Sequence, residues 1–286
     1  MAKLSKGFIF TFSSALCWAI AIVIARFILN AGENAYNVAF WTTVLALPYW
    51  LYVLLGKKGE IKKAKRTDFY ILLGMGLIST VGVNITEAFA LKYSPAVNYS
   101  FLIRTVILFT IIFAYLFLGE KLTLKKIILA VLLLTGAYLL TTNGKIIALT
   151  LGDIFTLIEA ALISLGNNVF GKMATNRMST SLSASGAFVI GVIPLSLIAG
   201  MSHSVAVPKA IPLILILTLA YIILTNLRFN AYKNATASYV TMVFSFTPVF
   251  VSFMAIPLLK ETMTPIQVLG GILIILAGIA VEKLKI

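Results

Sequence analysis

Charged residues are scarce in this 286-residue chain: Asp, Glu, Lys and Arg together make up 11% of it. A soluble domain uses about 25% to cover its surface, so an aqueous exterior is excluded and a bilayer is the expected solvent. The single cysteine, Cys17, excludes a disulfide framework. One histidine, His203, leaves too few ligands for a typical zinc site and no HExxH signature. The only aspartates, Asp68 and Asp153, lie at the edges of apolar runs, which argues against a buried aspartyl dyad. No GK[ST] phosphate loop is present, so this chain does not hydrolyse ATP to drive itself. These absences point to a protein that is not an enzyme and uses no cofactor or metal.

What is present is apolar. AVILMFWYC account for 60% of the residues. A membrane-crossing helix needs about 20 mainly apolar residues, and ten such runs appear, near 8–29, 36–55, 69–90, 96–118, 124–142, 151–171, 182–200, 210–232, 236–259 and 264–282. The first is too long for the core of a signal peptide and is read as a retained helix. Thr264-Pro265-Ile266-Gln267 reads as a capped start of the tenth helix, and Ser94-Pro95 as that of the fourth. Pro194, Pro248 and Pro257 fall inside runs and predict kinks.

The net charge of +14 is ambiguous until it is sorted by position. With the N-terminus inside, Lys3, Lys6, the cluster Lys57, Lys58, Lys62, Lys63, Lys65 and Arg66, then Lys121, Lys125, Lys126, Lys172, Arg177, Lys233, Lys283 and Lys285 share one side. Only Lys92, Lys145, Lys209 and Lys260 lie on the other. This asymmetry predicts two cytoplasmic termini and accounts for the basic excess without nucleic acid.

The chain also repeats itself. Gly7-Phe8-Ile9-Phe10-Thr11 returns as Gly152-Asp153-Ile154-Phe155-Thr156, and Ala90-Leu91-Lys92 as Ala231-Tyr232-Lys233. Gly119-Glu120-Lys121-Leu122-Thr123 aligns with Lys260-Glu261-Thr262-Met263-Thr264. The halves, 1–146 and 147–286, hold five helices each; because five is odd, the second is expected to be inverted. The fold class expected is an all-α membrane protein of ten helices in a five-plus-five inverted repeat. This layout, with an acidic residue and a threonine after the fourth and ninth helices and glycines in the fifth and tenth (Gly136; Gly270, Gly271, Gly278), resembles the drug/metabolite transporter superfamily with two EamA-type domains. The resemblance implies a carrier for amino acids, nucleobases or similar metabolites in the inner membrane of a bacterium or archaeon, usually an exporter. It also implies a cavity lined by helices one, three, four, six, eight and nine. Lys260 departs from the pattern where the first copy has Gly119, so the second hairpin is expected to turn less tightly.

An ionisable group deep in a membrane helix costs about 2.5–3.5 kcal/mol on insertion and needs a reason. Arg104 and Glu159 fall near the middle of helices four and six, and their repeat equivalents are the small hydroxyls Ser245 and Ser14. Such a site suits a zwitterion, with Arg104 for a carboxylate and Glu159 for an ammonium. Glu87 and Arg228 occupy equivalent places in the two halves and are candidates for substrate binding as well. Asn84, Asn98, Asn167, Asn168, Asn226 and Asn230 are further candidates for substrate binding, with Trp18, Tyr99 and Tyr221 as packing partners. Glu159 and Glu87 are the candidates for proton coupling. The competing reading is that Arg104 only neutralises Glu87 or Glu159, holding helices together. Arg26 and Lys172 are expected to snorkel, Glu120 and Glu261 to fix hairpins, and Gly74, Gly82, Gly270, Gly271 and Gly278 to allow close packing. The expected function is secondary-active export of a small polar metabolite, an amino acid first, as a uniport or coupled to protons. Its partners are that metabolite and membrane lipids, in a monomer or weak homodimer. The alternatives are a lipid or lipid-linked flippase of the same superfamily and a non-transporting membrane scaffold.

Overall fold

A computed structural model describes residues 4–33, 35–201, 206–259 and 262–284. Ten helices in it are long and apolar enough to cross a membrane, because a backbone in hydrocarbon must satisfy its own hydrogen bonds. α1 is Lys6–Asn30, α2 Ala35–Leu55, α5 Leu124–Thr142, α7 Thr180–Met201, α8 Ile211–Asn234 and α10 Pro265–Leu284. The other four change pitch along their length. α3 runs Arg66–Met75, a π-helical Gly76–Gly82 and Val83–Tyr93. α4 runs Ala96–Leu102, a 3-10 turn Ile103–Thr105 and Val106–Leu118. α6 runs Leu151–Leu162, a π-helical Ile163–Phe170 and Gly171–Arg177, and α9 runs Ala237–Phe244 and Thr247–Leu259. The sequence bounds of α3 and α6 were therefore short at their far ends. α6 continues past Lys172 to Arg177, and that ammonium finds a partner in the protein.

Helix ends follow local chemistry. Ser5, Thr123 and Thr236 hydroxyls accept from the N–H of Phe8 (3.0 Å), Lys126 (3.3 Å) and Tyr239 (3.2 Å). Thr264 and Gln267 form the expected reciprocal cap, at 3.0 and 3.3 Å. Ser94 does not cap α4; its hydroxyl donates to Asp153, whose carboxylate needs donors more than the helix end does. Gly119, at φ +65°, closes α4 in the left-handed region. The break in α9 has a direct cause: Pro248 has no N–H to offer the Phe244 carbonyl, and the Thr247 hydroxyl donates to it instead at 2.7 Å.

α1 packs along α8 and against α9; α6 packs along α3 and against α4; α2 pairs with α7 and α5 with α10. α5 and α10 cross at Gly136 and Gly270, where a Cβ on either would sit within 2.8 Å of the other helix's backbone. Gly271, by contrast, faces open space and permits no such approach. The two repeated glycines do equivalent work. A Cβ on Gly7 would meet Ala235 at 2.8 Å at the end of α8, and one on Gly152 would collide with the backbone of Tyr93 and Ser94 at the end of α3.

The short connections around 56–65, 119–123, 178–179 and 235–236 lie at one end of the bundle, the lysine-rich end. There Glu120 accepts from the N–H of Ala237 (2.7 Å) and Ser238 (3.3 Å) and pairs with Lys126 at 3.3 Å. Glu120 was expected to fix its own hairpin, yet it also caps α9 of the other half. Glu60 accepts from the Ser179 N–H (2.6 Å) and hydroxyl (2.7 Å), and Asp68 pairs with Arg177. The equivalent hairpin residues Lys260 and Glu261, and also His203, lie outside the described residues.

Candidate functional site: a track of unpaired charges and aromatic rings

α3, α4 and α6 bring three of the candidates together. Tyr99 donates its hydroxyl to Glu159 Oε1 at 3.0 Å. Glu159 is 2% exposed, and its Oε2 has no hydrogen-bond partner among the described residues. Glu87, from α3, lies within electrostatic reach of that hydroxyl and of the Glu159 carboxylate. A phenol has a single proton to donate, and this one goes to Glu159. Arg104 stands in the 3-10 turn of α4, within electrostatic reach of Tyr99. Its Nε is buried without a partner, and no ion pair joins it to Glu87 or Glu159. The competing expectation, that Arg104 merely neutralises a carboxylate, is not what these side chains do.

The cluster continues into the other half. Tyr221 on α8 lies within electrostatic reach of Glu87 and stands 5.8 Å from Trp18 of α1, ring centre to ring centre. The Arg228 guanidinium lies 5.9 Å from Trp18 and 4.7 Å from Phe244. The result is a continuous run of polar and aromatic groups: Arg104 and Glu159, Tyr99, Glu87, Tyr221, Trp18, Arg228. It also spans depth. At about 1.5 Å per residue, Arg104 and Glu159 each lie roughly 12 Å from the opposite end of their helices, while Arg228 lies about 9 Å from the lysine-rich end. Glu87, Tyr99, Arg104, Trp18, Tyr221 and Arg228 are all only partly buried. Charged groups at this depth avoid lipid, so their exposed atoms line the bundle interior.

The asparagines divide. Asn98 is buried and committed, donating to the Ala148 carbonyl (2.8 Å) and Asp153 (2.9 Å) at the end opposite the lysines. Asn168 is buried too; it donates to Thr110 at 2.7 Å and accepts from Tyr232 at 2.6 Å. Asn84 turns back to the Thr80 carbonyl at 2.5 Å. Asn226 donates to Tyr49 (3.1 Å) and the Ile222 carbonyl (2.8 Å), and Asn230 to the Asn226 carbonyl (2.8 Å). Asn167, on the π-helical stretch of α6, is partly exposed. Lys172 does not snorkel; its ammonium donates to the Tyr232 carbonyl at 2.6 Å. Thr110, Asn168, Tyr232 and Lys172 thereby join α4, α6 and α8 beneath the track on its lysine-rich side.

Sequence reasoning missed Phe244 and Tyr232. A phenylalanine among 19 and a tyrosine among 11 carry no mark in a chain this apolar. The one available signal was Tyr232's place in the repeated Ala-x-Lys segment.

Ten apolar helices around an interior run of unpaired charges make a multi-pass membrane transporter. The profile of the EamA-like transporter family matches residues 5–142 and again 150–281, and the chain belongs to that family. It is similar to an uncharacterized transporter of Archaeoglobus fulgidus, 26% identical over 297 residues and covering 98% of each chain. It is likewise similar to an uncharacterized transporter of Methanothermobacter thermautotrophicus, 26% identical over 299 residues and covering 96% of this chain and 84% of that one. A solved crystal structure with 15% identity superposes at a TM-score of 0.76 over 99% of this chain and 100% of its own, which shows a shared fold. The protein is therefore a multi-pass protein of a prokaryotic cell membrane. Membership of a transporter family accords with the expectation that it is not an enzyme.

Proposed function

We propose that the protein is a secondary carrier that exports a small polar metabolite, an amino acid first, by alternating access between two inverted five-helix halves, 1–146 and 147–286, with both termini cytoplasmic. The observation that carries this reading is the pair of unmatched groups, Arg104 Nε and Glu159 Oε2, buried without partners and unpaired with each other. An unpaired buried ion costs several kcal/mol, and a zwitterion offsets it at both places with one molecule. The carboxylate goes to Arg104 and the ammonium to Glu159. Matched helix pairs support the two-half description: α1 on α8 mirrors α6 on α3, and α1 on α9 mirrors α6 on α4. So do the pitch changes at Ile103–Thr105 and just after Phe244, which occupy equivalent positions.

Two acids within electrostatic reach of each other, with one phenol committed to Glu159, support proton coupling at Glu87 and Glu159. With Tyr99 donating to Glu159, Glu87 is the acid left to carry a proton when no ammonium is present. Purified protein in liposomes should accumulate labelled amino acids, faster with a proton gradient than without. Arg104→Ala should abolish this while the protein remains folded. Normal transport by Arg104→Ala removes the site, and a rate indifferent to the gradient removes the coupling. Movement of labelled lipid in place of amino acids selects the flippase reading.

A further inference from the structure

Arg228 has no charged partner among the described residues. It lies between two rings, Phe244 at 4.7 Å and Trp18 at 5.9 Å, and makes no hydrogen bond or ion pair among the described residues. Tyr232, a turn further along α8, lies within its electrostatic reach. Aromatic rings interact with the flat faces of a guanidinium, and its N–H groups point outward in the plane of its edge. The ring contacts therefore satisfy none of these donors. None is sealed away from solvent, whereas Arg104 Nε is. A cation at this depth needs a counter-charge, and the protein supplies none here.

We propose that Arg228 is a second carboxylate-binding subsite, separate from Arg104 and on the lysine-rich side of it, with Trp18 and Phe244 as the rings that flank its guanidinium. A carboxylate fits this edge because its two oxygens accept a parallel pair of N–H bonds. That the carboxylate belongs to the cargo rests on the carrier reading; that the subsite binds a carboxylate does not. Along the track, Tyr221 and Trp18 separate it from the acid pair, so a carboxylate leaving Arg104 towards the lysine-rich end meets Arg228 next.

The probe is sodium acetate, which carries a carboxylate and no ammonium, with sodium chloride at equal ionic strength as reference. The readouts are thermal unfolding of the full-length protein in detergent and Trp18 fluorescence in a Trp41→Phe, Trp50→Phe background. Acetate should raise the unfolding midpoint and change Trp18 emission saturably. Arg228→Gln should abolish both responses, and Arg228→Lys should weaken them about tenfold because a point charge replaces a fork. Phe244→Leu should weaken binding while leaving the charge in place. The inference is overturned if acetate does no more than chloride, or if Arg104→Gln abolishes the Trp18 response and Arg228→Gln does not. Amino-acid transport without any acetate response at Arg228 would leave the carrier reading standing. An acetate response without amino-acid transport would do the reverse.

Discussion

The charges at the lysine-rich end and those inside the bundle behave in opposite ways. At the end, Glu120 serves Lys126 and two backbone N–H groups of α9, Asp68 serves Arg177 and the N–H of Lys65, and Glu60 serves Ser179 twice. Glu282 accepts from Ser5 and Tyr239. Inside, Arg104 and Arg228 have no acid partner among the described residues, and Glu159 keeps one oxygen open. Each satisfied carboxylate at the end links separate elements of the bundle. The interior charges link nothing that would repay their desolvation, which is why they are the ones assigned to transport. The contrast is one of satisfaction and not of burial, since Glu120 and Lys126 are as buried as much of the core.

Glu120→Ala should have the largest effect on the first group. It strands the Lys126 ammonium and removes the acceptor for the α9 N-terminus, at a cost of about 3–5 kcal/mol typical of breaking a buried pair. The thermal midpoint in detergent measures this, and a loss below about 1 kcal/mol would put Glu120 among the dispensable surface charges. Arg104→Gln should cut transport by at least about 100-fold, equivalent to roughly 2.7 kcal/mol, with the unfolding midpoint unchanged or higher because an unpaired cation has left the interior. A destabilised protein that still transports would move Arg104 into the first group. Tyr99→Phe removes the donor to Glu159, worth about 1.5–3 kcal/mol for a hydrogen bond to a charged group, and should shift the pH dependence of transport more than its maximal rate. An unchanged pH profile would break the link between the phenol and coupling.

The smallest effect belongs to Glu33, outside the membrane spans. The N–H of Ala210 at 3.0 Å, then that of Lys209, hold its carboxyl below the usual carboxylate range. A depressed folded value means that this contribution is present above the ordinary glutamate value of about 4.3 and is lost as pH falls through the lower folded one. Glu33→Gln should lower the unfolding midpoint slightly at neutral pH, flatten the acid limb and leave stability below the folded value unchanged, which a pH series of unfolding midpoints checks.

Much of this arrangement was legible beforehand because hydrocarbon is an unforgiving solvent. Ten long runs with few charges had to be helices, and those few charges had to be exceptional, so Arg104, Glu159, Glu87 and Arg228 stood out by residue type and position alone. Asn98 and Asn168 were equally conspicuous, yet they are spent on Asp153, Ala148, Thr110 and Tyr232. An asparagine that binds a neighbouring helix and one that binds a ligand look the same in a string of letters. Lys172 was misread for a related reason: snorkelling assumes that water is its nearest partner, and here a carbonyl of α8 is nearer.

The sequence by itself determined the solvent, the number of spans and the short roll of interior charges, because each follows from the cost of placing a polar group in a bilayer. Only the tertiary structure decided which of those charges pair. Glu120 reaches α9 and leaves Arg104 unmatched because helix packing sets which side chains come within about 3 Å of each other, and hydrogen bonding is blind beyond that distance. Phe244 became part of the site in the same way: α9 breaks at Ser245 and Phe246, and packing lays the Phe244 ring against an arginine from α8.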